Sequence, residues 1–187
     1  MSHVGILLAA GNSQRFGADK LMEKLGNGER VGIASGQKLI SALPRSIAVV
    51  RSDDSALASM LRLLGFEIIQ PPTGNPGMGD SLAAAVRSST GADGWLVCLA
   101  DMPWIQFQTL CSVINGLAEG ADICAPRFDN KRGHPVGFNA CFGDRLASLS
   151  GDVGAKGIID DHPEQLREID VNDAGIIRDI DTPQDLH

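Results

Sequence analysis

Continuous apolar runs alternate with stretches in which apolar residues return at every third or fourth position. The runs lie at residues 4–9, 46–51, 66–70, 95–99 and 121–125, with weaker ones at 135–140, 166–171 and 175–180. Runs that are apolar throughout read as strands covered on both faces, whereas segments 33–43, 54–64, 80–89 and 106–118 carry the spacing of amphipathic helices. Such alternation predicts an α/β fold, a mostly parallel sheet with helices on both faces. In sheets of this kind ligands bind beyond the carboxyl ends of the strands. The loops to inspect are therefore 10–20, 71–80, 100–105 and 126–134.

Composition narrows the picture. A chain of 187 residues, 43% apolar and 21% charged, fits one globular domain over 1–187, and no internal repeat or long linker divides it. No run approaches the roughly 20 apolar residues of a membrane span. The start MSHVGILLAAG has no basic region ahead of its short apolar run, which predicts a cytoplasmic protein. A net charge of −7 disfavours nucleic acid as a partner. The charge is unevenly spread: residues 1–93 hold nine Lys/Arg against eight Asp/Glu, and residues 94–187 hold seven against fifteen. One half suits phosphates and the other a cation, although drift of surface charge gives the same split. Cys98, Cys111, Cys124 and Cys141 show no metal-type spacing and read as free thiols.

The loop after the first run, in ILLAAGNSQRFGADK, sets Arg15 and Lys20 among Gly11 and Gly17. Glycines let backbone amides approach an anion, and the two cations suit a polyphosphate. The loop matches neither G-x-G-x-x-G nor G-x-x-x-x-G-K-[ST], and a glycine-rich turn with solvated cations is the alternative. In LVCLADMPWI an apolar strand delivers Asp101 to its carboxyl end, where a carboxylate facing a triphosphate suits Mg²⁺, or else caps a helix starting near Ile105.

Three further segments carry candidate chemistry. In GNPGMGDSLAAAV, Gly77 and Gly79 form a close backbone surface, and Asp80 or Ser81 is placed to cap a helix whose amides face the same crevice. In APRFDNKRGHPVGF, Lys131, Arg132 and His134 bracket Gly133, either for an anionic second substrate or as a hairpin turn with solvated basic residues. In IIRDIDTPQDL, Asp179 and Asp181 share one face if the segment is extended, either for a metal contact or as surface acids, and Thr182-Pro183 reads as a helix start.

Taken in order and spacing, LLAAGNSQRFGADKLM, GMGDSLAAAV, LADMPWI, KRGHPVGF, GDVGAK and DIDTPQDL resemble the MobA-like nucleotidyltransferase family, most closely its molybdenum cofactor cytidylyltransferase branch. The resemblance spans nearly the whole chain. It implies a Rossmann-like three-layer α/β/α sandwich with a mixed, mostly parallel sheet of the nucleotide-diphospho-sugar transferase type. It also implies transfer of CMP from CTP, or of another nucleotide from its NTP, to the terminal phosphate of molybdopterin or the molybdenum cofactor, with Mg²⁺ or Mn²⁺ as cofactor. A molybdoenzyme of the xanthine dehydrogenase type is the implied recipient.

Carried over by motif, Arg15, Lys20 and Asp101 are the catalytic positions. Ala9, Ala10, Gly11, Gly17, Gly77, Gly79 and Ser81 are the nucleotide-binding ones, Arg132 and His134 face the acceptor, and Asp101 with Asp179 or Asp181 holds metal. Ala9-Ala10-Gly11 favours CTP, since the guanylyl branch reads L-x-G-G. The chain departs from the family pattern at Ala100, where glycine is frequent, and at Asp80, where a small hydroxyl residue is frequent. Transfer to a sugar or polyol phosphate, and a non-catalytic carrier of the cofactor, are the rival expectations.

Overall fold

The computed structural model describes residues 2–11, 16, 19–51, 55–71 and 77–186. The predicted Arg15 and Gly17 lie outside the described residues. The first apolar run forms β1 (His3–Ala9). It pairs in parallel with β2 (Ser46–Val50) on one side and with β4 (Gly94–Leu99) on the other, and β2 in turn pairs in parallel with β3 (Glu67–Ile69). The second half of the chain adds β5 (Ile123–Phe128), β6 (Lys131–Arg132), β7 (Val136–Asn139) and β8 (Leu166–Asp170). The sheet order is β3-β2-β1-β4-β7-β5-β6, with β8 pairing β5. β7 runs antiparallel to β4 and β5, so the sheet is mixed around a parallel core.

Apolar residues on both faces of the central strands account for the layering. Leu7 and Ala9 of β1 and Leu96 and Cys98 of β4 pack into one core, under α1 (Val31–Ala42), α2 (Ser55–Leu64) and α4 (Phe107–Ala118). Val4 and Ile6 with Trp95 and Val97 enter the other core, under α3 (Met78–Ser88), α5 (Gly143–Ala147) and α6 (Lys156–Asp161). A strand's side chains alternate between faces, so a run that is apolar throughout feeds two cores at once.

Two expectations need correction. Residues 175–180 form no strand. Ala174–Ile177 is a 3₁₀ turn, and the chain then runs on without joining the sheet. Ile176 and Ile180 are fully buried while Ile177 is 40% exposed, so burial recurs at four residues and not at two. Asp173 fixes the turn: one carboxylate oxygen accepts the Gly175 N–H at 3.0 Å, and the other accepts the Gln106 N–H and the Thr109 hydroxyl at 2.8 and 2.6 Å. Asp173 therefore caps α4, the role that Asp101 had as its alternative.

The expected loop at 126–134 is mostly hairpin. β5 continues to Phe128, Asp129 and Asn130 turn with φ of 49° and 58°, and β6 returns antiparallel. Positive φ at both central residues is the geometry whose twist matches paired strands, and Asp-Asn tolerates it.

Candidate active site

The sheet topology gathers the candidate residues at one edge. β1 and β4 are parallel with Leu8 opposite Leu99, and the Ala100 N–H donates to the Leu8 carbonyl, so Ala10-Gly11 and Ala100-Asp101 leave the sheet side by side. β7 is antiparallel to β4 with Val136 opposite Val97, which brings the preceding Gly133-His134 to the same edge. The 3₁₀ turn is drawn in as well. The His134 N–H donates to the Ile176 carbonyl, and a Cβ on Gly133 would lie 2.2 Å from that oxygen, so only glycine permits the approach.

Lys20 opens a short 3₁₀ turn, Lys20–Met22, and its side chain reaches the end of β4. Nζ donates to Asp101 Oδ2 and to the Ile180 carbonyl, both at 2.8 Å, and lies 3.8 Å from Asp181 Oδ1. The C-terminal segment is held there by the Ile180 N–H, which donates to the Asp101 carbonyl at 3.0 Å. Asp179 is exposed, and the cluster forms with Asp181 instead. Thr182 begins the turn Pro183–Leu186 as its sequence suggests, donating through its N–H and hydroxyl to Asp185.

Beside this cluster lies a cavity of about 110 Å³ bordered by Ala10, Gly11, Gly77, Ser81 and Asp101. Ala9 is not on its wall; its side chain is 2% exposed and belongs to the core. The helix start differs from expectation. Gly77 is the N-cap of α3, and Asp80 accepts the Gly77 N–H at 3.1 Å. Asp80 is thus engaged in capping. Ser81 donates to the Gly77 carbonyl, and the Gly79 amide donates to the Gly151 carbonyl at 2.9 Å, so that amide is already occupied. A Cβ at Gly77 would meet Gly151 O at 2.0 Å, and one at Gly79 would meet Val153 O at 2.5 Å. These glycines seat the 150–154 loop against α3.

A larger cavity, about 440 Å³, shares Leu8, Met78 and Leu99 with the first. Leu82, Val97, Val136, Phe138 and Ile159 supply apolar walls, while Arg132, His134, Asp152 and Lys156 supply the polar groups. Arg132 lies 3.6 Å from Asp160. His134 Nδ1 is buried without a hydrogen-bond partner among the described residues. Burial lowers the His134 pKa, the nearby Asp101 opposes that shift and Arg132 adds to it, which favours the neutral ring. A neutral imidazole with an unsatisfied nitrogen is equipped to bond a ligand.

Sequence reasoning missed the Ile180 carbonyl, because a backbone oxygen has no residue type to reveal it. It also missed Met78, which borders both cavities; its place next to Gly77 was the available signal. Among the described residues, no group of three or more His, Cys, Asp and Glu is arranged to hold a metal, and no helix is long and apolar enough to cross a membrane. Cys98 and Cys124 are buried free thiols, the latter raised by burial to a pKa of about 11, which leaves little reactive thiolate. Cys111 is half-buried and Cys141 exposed.

The mixed sheet and its two helical layers define an α/β protein of the nucleotide-diphospho-sugar transferase fold. The chain belongs to the MobA-like NTP transferase family, whose domain matches residues 5–166, and nucleotidyl transfer is the reaction class which that family defines. It is 28% identical over 198 residues to the purine catabolism protein PucB of Bacillus subtilis (strain 168), covering 97% of this chain and 93% of that protein. It is 26% identical over 192 residues to the nicotine blue oxidoreductase of Paenarthrobacter nicotinovorans, covering 98% and 94%. The crystal structure of Rv0371c from Mycobacterium tuberculosis H37Rv superposes with a TM-score of 0.84 at 26% identity, covering 98% of this chain and 94% of that one. A structure of Rv0371c in complex with manganese gives a TM-score of 0.83 at 24% identity, with 99% and 96% coverage.

Proposed function

We propose that this protein transfers CMP from CTP to the terminal phosphate of molybdopterin or its molybdenum form and releases pyrophosphate. One observation carries the reading. Lys20, Asp101, Asp181 and the Ile180 carbonyl converge beside a small cavity bordered by Ala10, Gly11, Gly77 and Ser81, which adjoins a larger apolar one. An acceptor phosphate oxygen attacks the α-phosphorus of CTP, and the bond to pyrophosphate breaks as the new P–O bond forms. The nucleophile is already an anion, so the residues must bring two anions together and stabilise the charge gathering on the leaving group. Lys20, with Arg15 and the Gly11 and Gly17 backbone on the same loop, has that role, and Gly77, Gly79 and Ser81 shape the nucleotide side.

Asp101, Asp181 and the Ile180 carbonyl offer three oxygens and no sulfur or imidazole, a donor set suited to Mg²⁺ or Mn²⁺, which keeps waters and phosphate oxygens as its remaining ligands. A divalent cation there supplies neutralisation of the phosphate charge. Asp179 stands outside this set. The larger cavity takes the flat acceptor against its apolar walls, with Arg132 and His134 towards its anionic end. Ala9-Ala10-Gly11 supports CTP over GTP. A single domain over 1–187, a cytoplasmic location and a xanthine dehydrogenase-type recipient belong to the same proposal.

The test is pyrophosphate release with purified molybdopterin or its molybdenum form, comparing CTP, GTP and ATP with Mg²⁺ or Mn²⁺. Turnover with CTP is expected, and no release with any of the three sinks the proposal. The likeness to a protein named an oxidoreductase favours a second reading, in which the apolar cavity holds an aromatic substrate for electron transfer. Consumption of NADH without pyrophosphate release would select it.

A further inference from the structure

The Lys20 ammonium occupies the position that a divalent cation needs. Its nitrogen sits 2.8 Å from Asp101 Oδ2 and 2.8 Å from the Ile180 carbonyl, with Asp181 Oδ1 at 3.8 Å. Mg²⁺ or Mn²⁺ would take oxygens at about 2.1 Å. An ammonium and a metal ion cannot hold the same oxygens together. Two carboxylates and a carbonyl turned towards one point repel unless a cation lies between them, and the Lys20 ammonium lies there.

We infer that Lys20 is a tethered placeholder cation, which keeps the metal site closed until a nucleotide offers its ammonium another partner. The inference rests on the proposed nucleotidyl transfer and deepens it. The Lys20 and Asp101 side chains are 14% and 22% exposed, so metal arriving alone must displace a partly desolvated ion pair. A triphosphate changes the balance. Lysine carries a point charge on a flexible stem, so Nζ can leave the carboxylates for phosphate oxygens without any backbone movement. The vacated oxygens then accept the metal. Linkage makes the effect reciprocal: nucleotide strengthens metal binding, and metal, by releasing Lys20, strengthens nucleotide binding. A purely structural ion pair, fastening the first βα loop to β4, has no such consequence.

The experiment measures Mn²⁺ binding by electron paramagnetic resonance in the absence of nucleotide, for the wild type and Lys20→Met. The inference expects Lys20→Met to bind Mn²⁺ at least about tenfold more tightly, within the range usual for coupled sites. Adding Asp181→Asn should remove most of that gain. Equal or weaker binding by Lys20→Met overturns the inference. A variant-free measurement guards against misfolding of the substituted protein: acetylation of Lys20, followed by peptide mass spectrometry, in wild-type protein titrated with Mn²⁺ to tens of millimolar. Labelling that rises several-fold with Mn²⁺ but not with K⁺ supports displacement, and unchanged labelling overturns it. Absence of pyrophosphate release by the wild type, together with a tighter Mn²⁺ site in Lys20→Met, would remove the proposed reaction and leave the placeholder standing; release by the wild type with no tightening in Lys20→Met would do the opposite.

Discussion

The two adjoining cavities share Leu8, Met78 and Leu99 but are built by different means. The smaller adds to these the short residues Ala10, Gly11, Gly77 and Ser81 and the Asp101 carboxylate, which Lys20 holds through a hydrogen bond. The larger is walled mainly by apolar side chains from β1, β4, β7, α3 and α6, with Arg132, His134, Asp152 and Lys156 among them. Groups set by backbone position hold a ligand through charge and direction, and they tolerate little displacement. Walls of leucine and valine hold a ligand through burial, at roughly 25 cal/mol per Å² of apolar surface, and adjust by repacking. Substitutions in the first cavity should therefore act on turnover or on the backbone itself, and those in the second on acceptor affinity.

The largest effect belongs to Asp101→Ala, which should lower turnover at least about a hundredfold, the scale of one preorganised electrostatic group. Steady-state pyrophosphate release at saturating acceptor checks it, and near-normal turnover would erase the distinction between the cavities. Next is Gly77→Ala, whose new Cβ would meet the Gly151 carbonyl at 2.0 Å with backbone on both sides. It should destabilise the fold by about 1–3 kcal/mol, as overpacking does, seen as a lower urea midpoint.

Arg132→Ala should raise the acceptor KM about tenfold and change kcat little, the signature of lost uniform binding. Its half-exposed pair with Asp160 contributes roughly 0–1 kcal/mol, so the urea midpoint should stay near that of the wild type. A kcat loss equal to the KM effect would place Arg132 with the first cavity.

The smallest effect concerns pH. Burial lowers the His134 pKa below its ordinary value of 6.5, so between the folded and unfolded values the unfolded chain binds more protons. His134 therefore costs no stability above the unfolded value and progressively more as pH falls below it. Urea titrations at pH 7.5 and pH 5.0 should show a shallower acid-side decline for His134→Gln. His3, whose pKa is also lowered by burial, leaves part of the decline in place.

Much of the scaffold was legible because the central strands are apolar on both faces. Val4 to Ala9 and Trp95 to Leu99 announce burial between two helical layers, and the edge where their loops emerge follows from parallel pairing. Asp101 and Lys20 were legible as charges at that edge. The Gly151 carbonyl that occupies the Gly79 amide was not, since contacts made by backbone oxygens leave no mark in residue type. Ile176 and Ile180 misled for a related reason: isoleucines in a short apolar segment resemble a strand, whereas Asp173 caps a 3₁₀ turn that ends at Ile177 and leaves Ile180 in irregular chain. The larger cavity was hidden too, because Val97 and Val136 have the same pattern whether they face a helix or a ligand.

The hydrogen bond from Lys20 to the Ile180 carbonyl spans 160 residues of sequence. During synthesis the first βα loop leaves the ribosome long before the oxygen that will hold its lysine has been made. Nascent chains, even those with β1 to β4 already assembled, therefore lack a finished cation cluster, which closes only once Ile180 and Asp181 have been made.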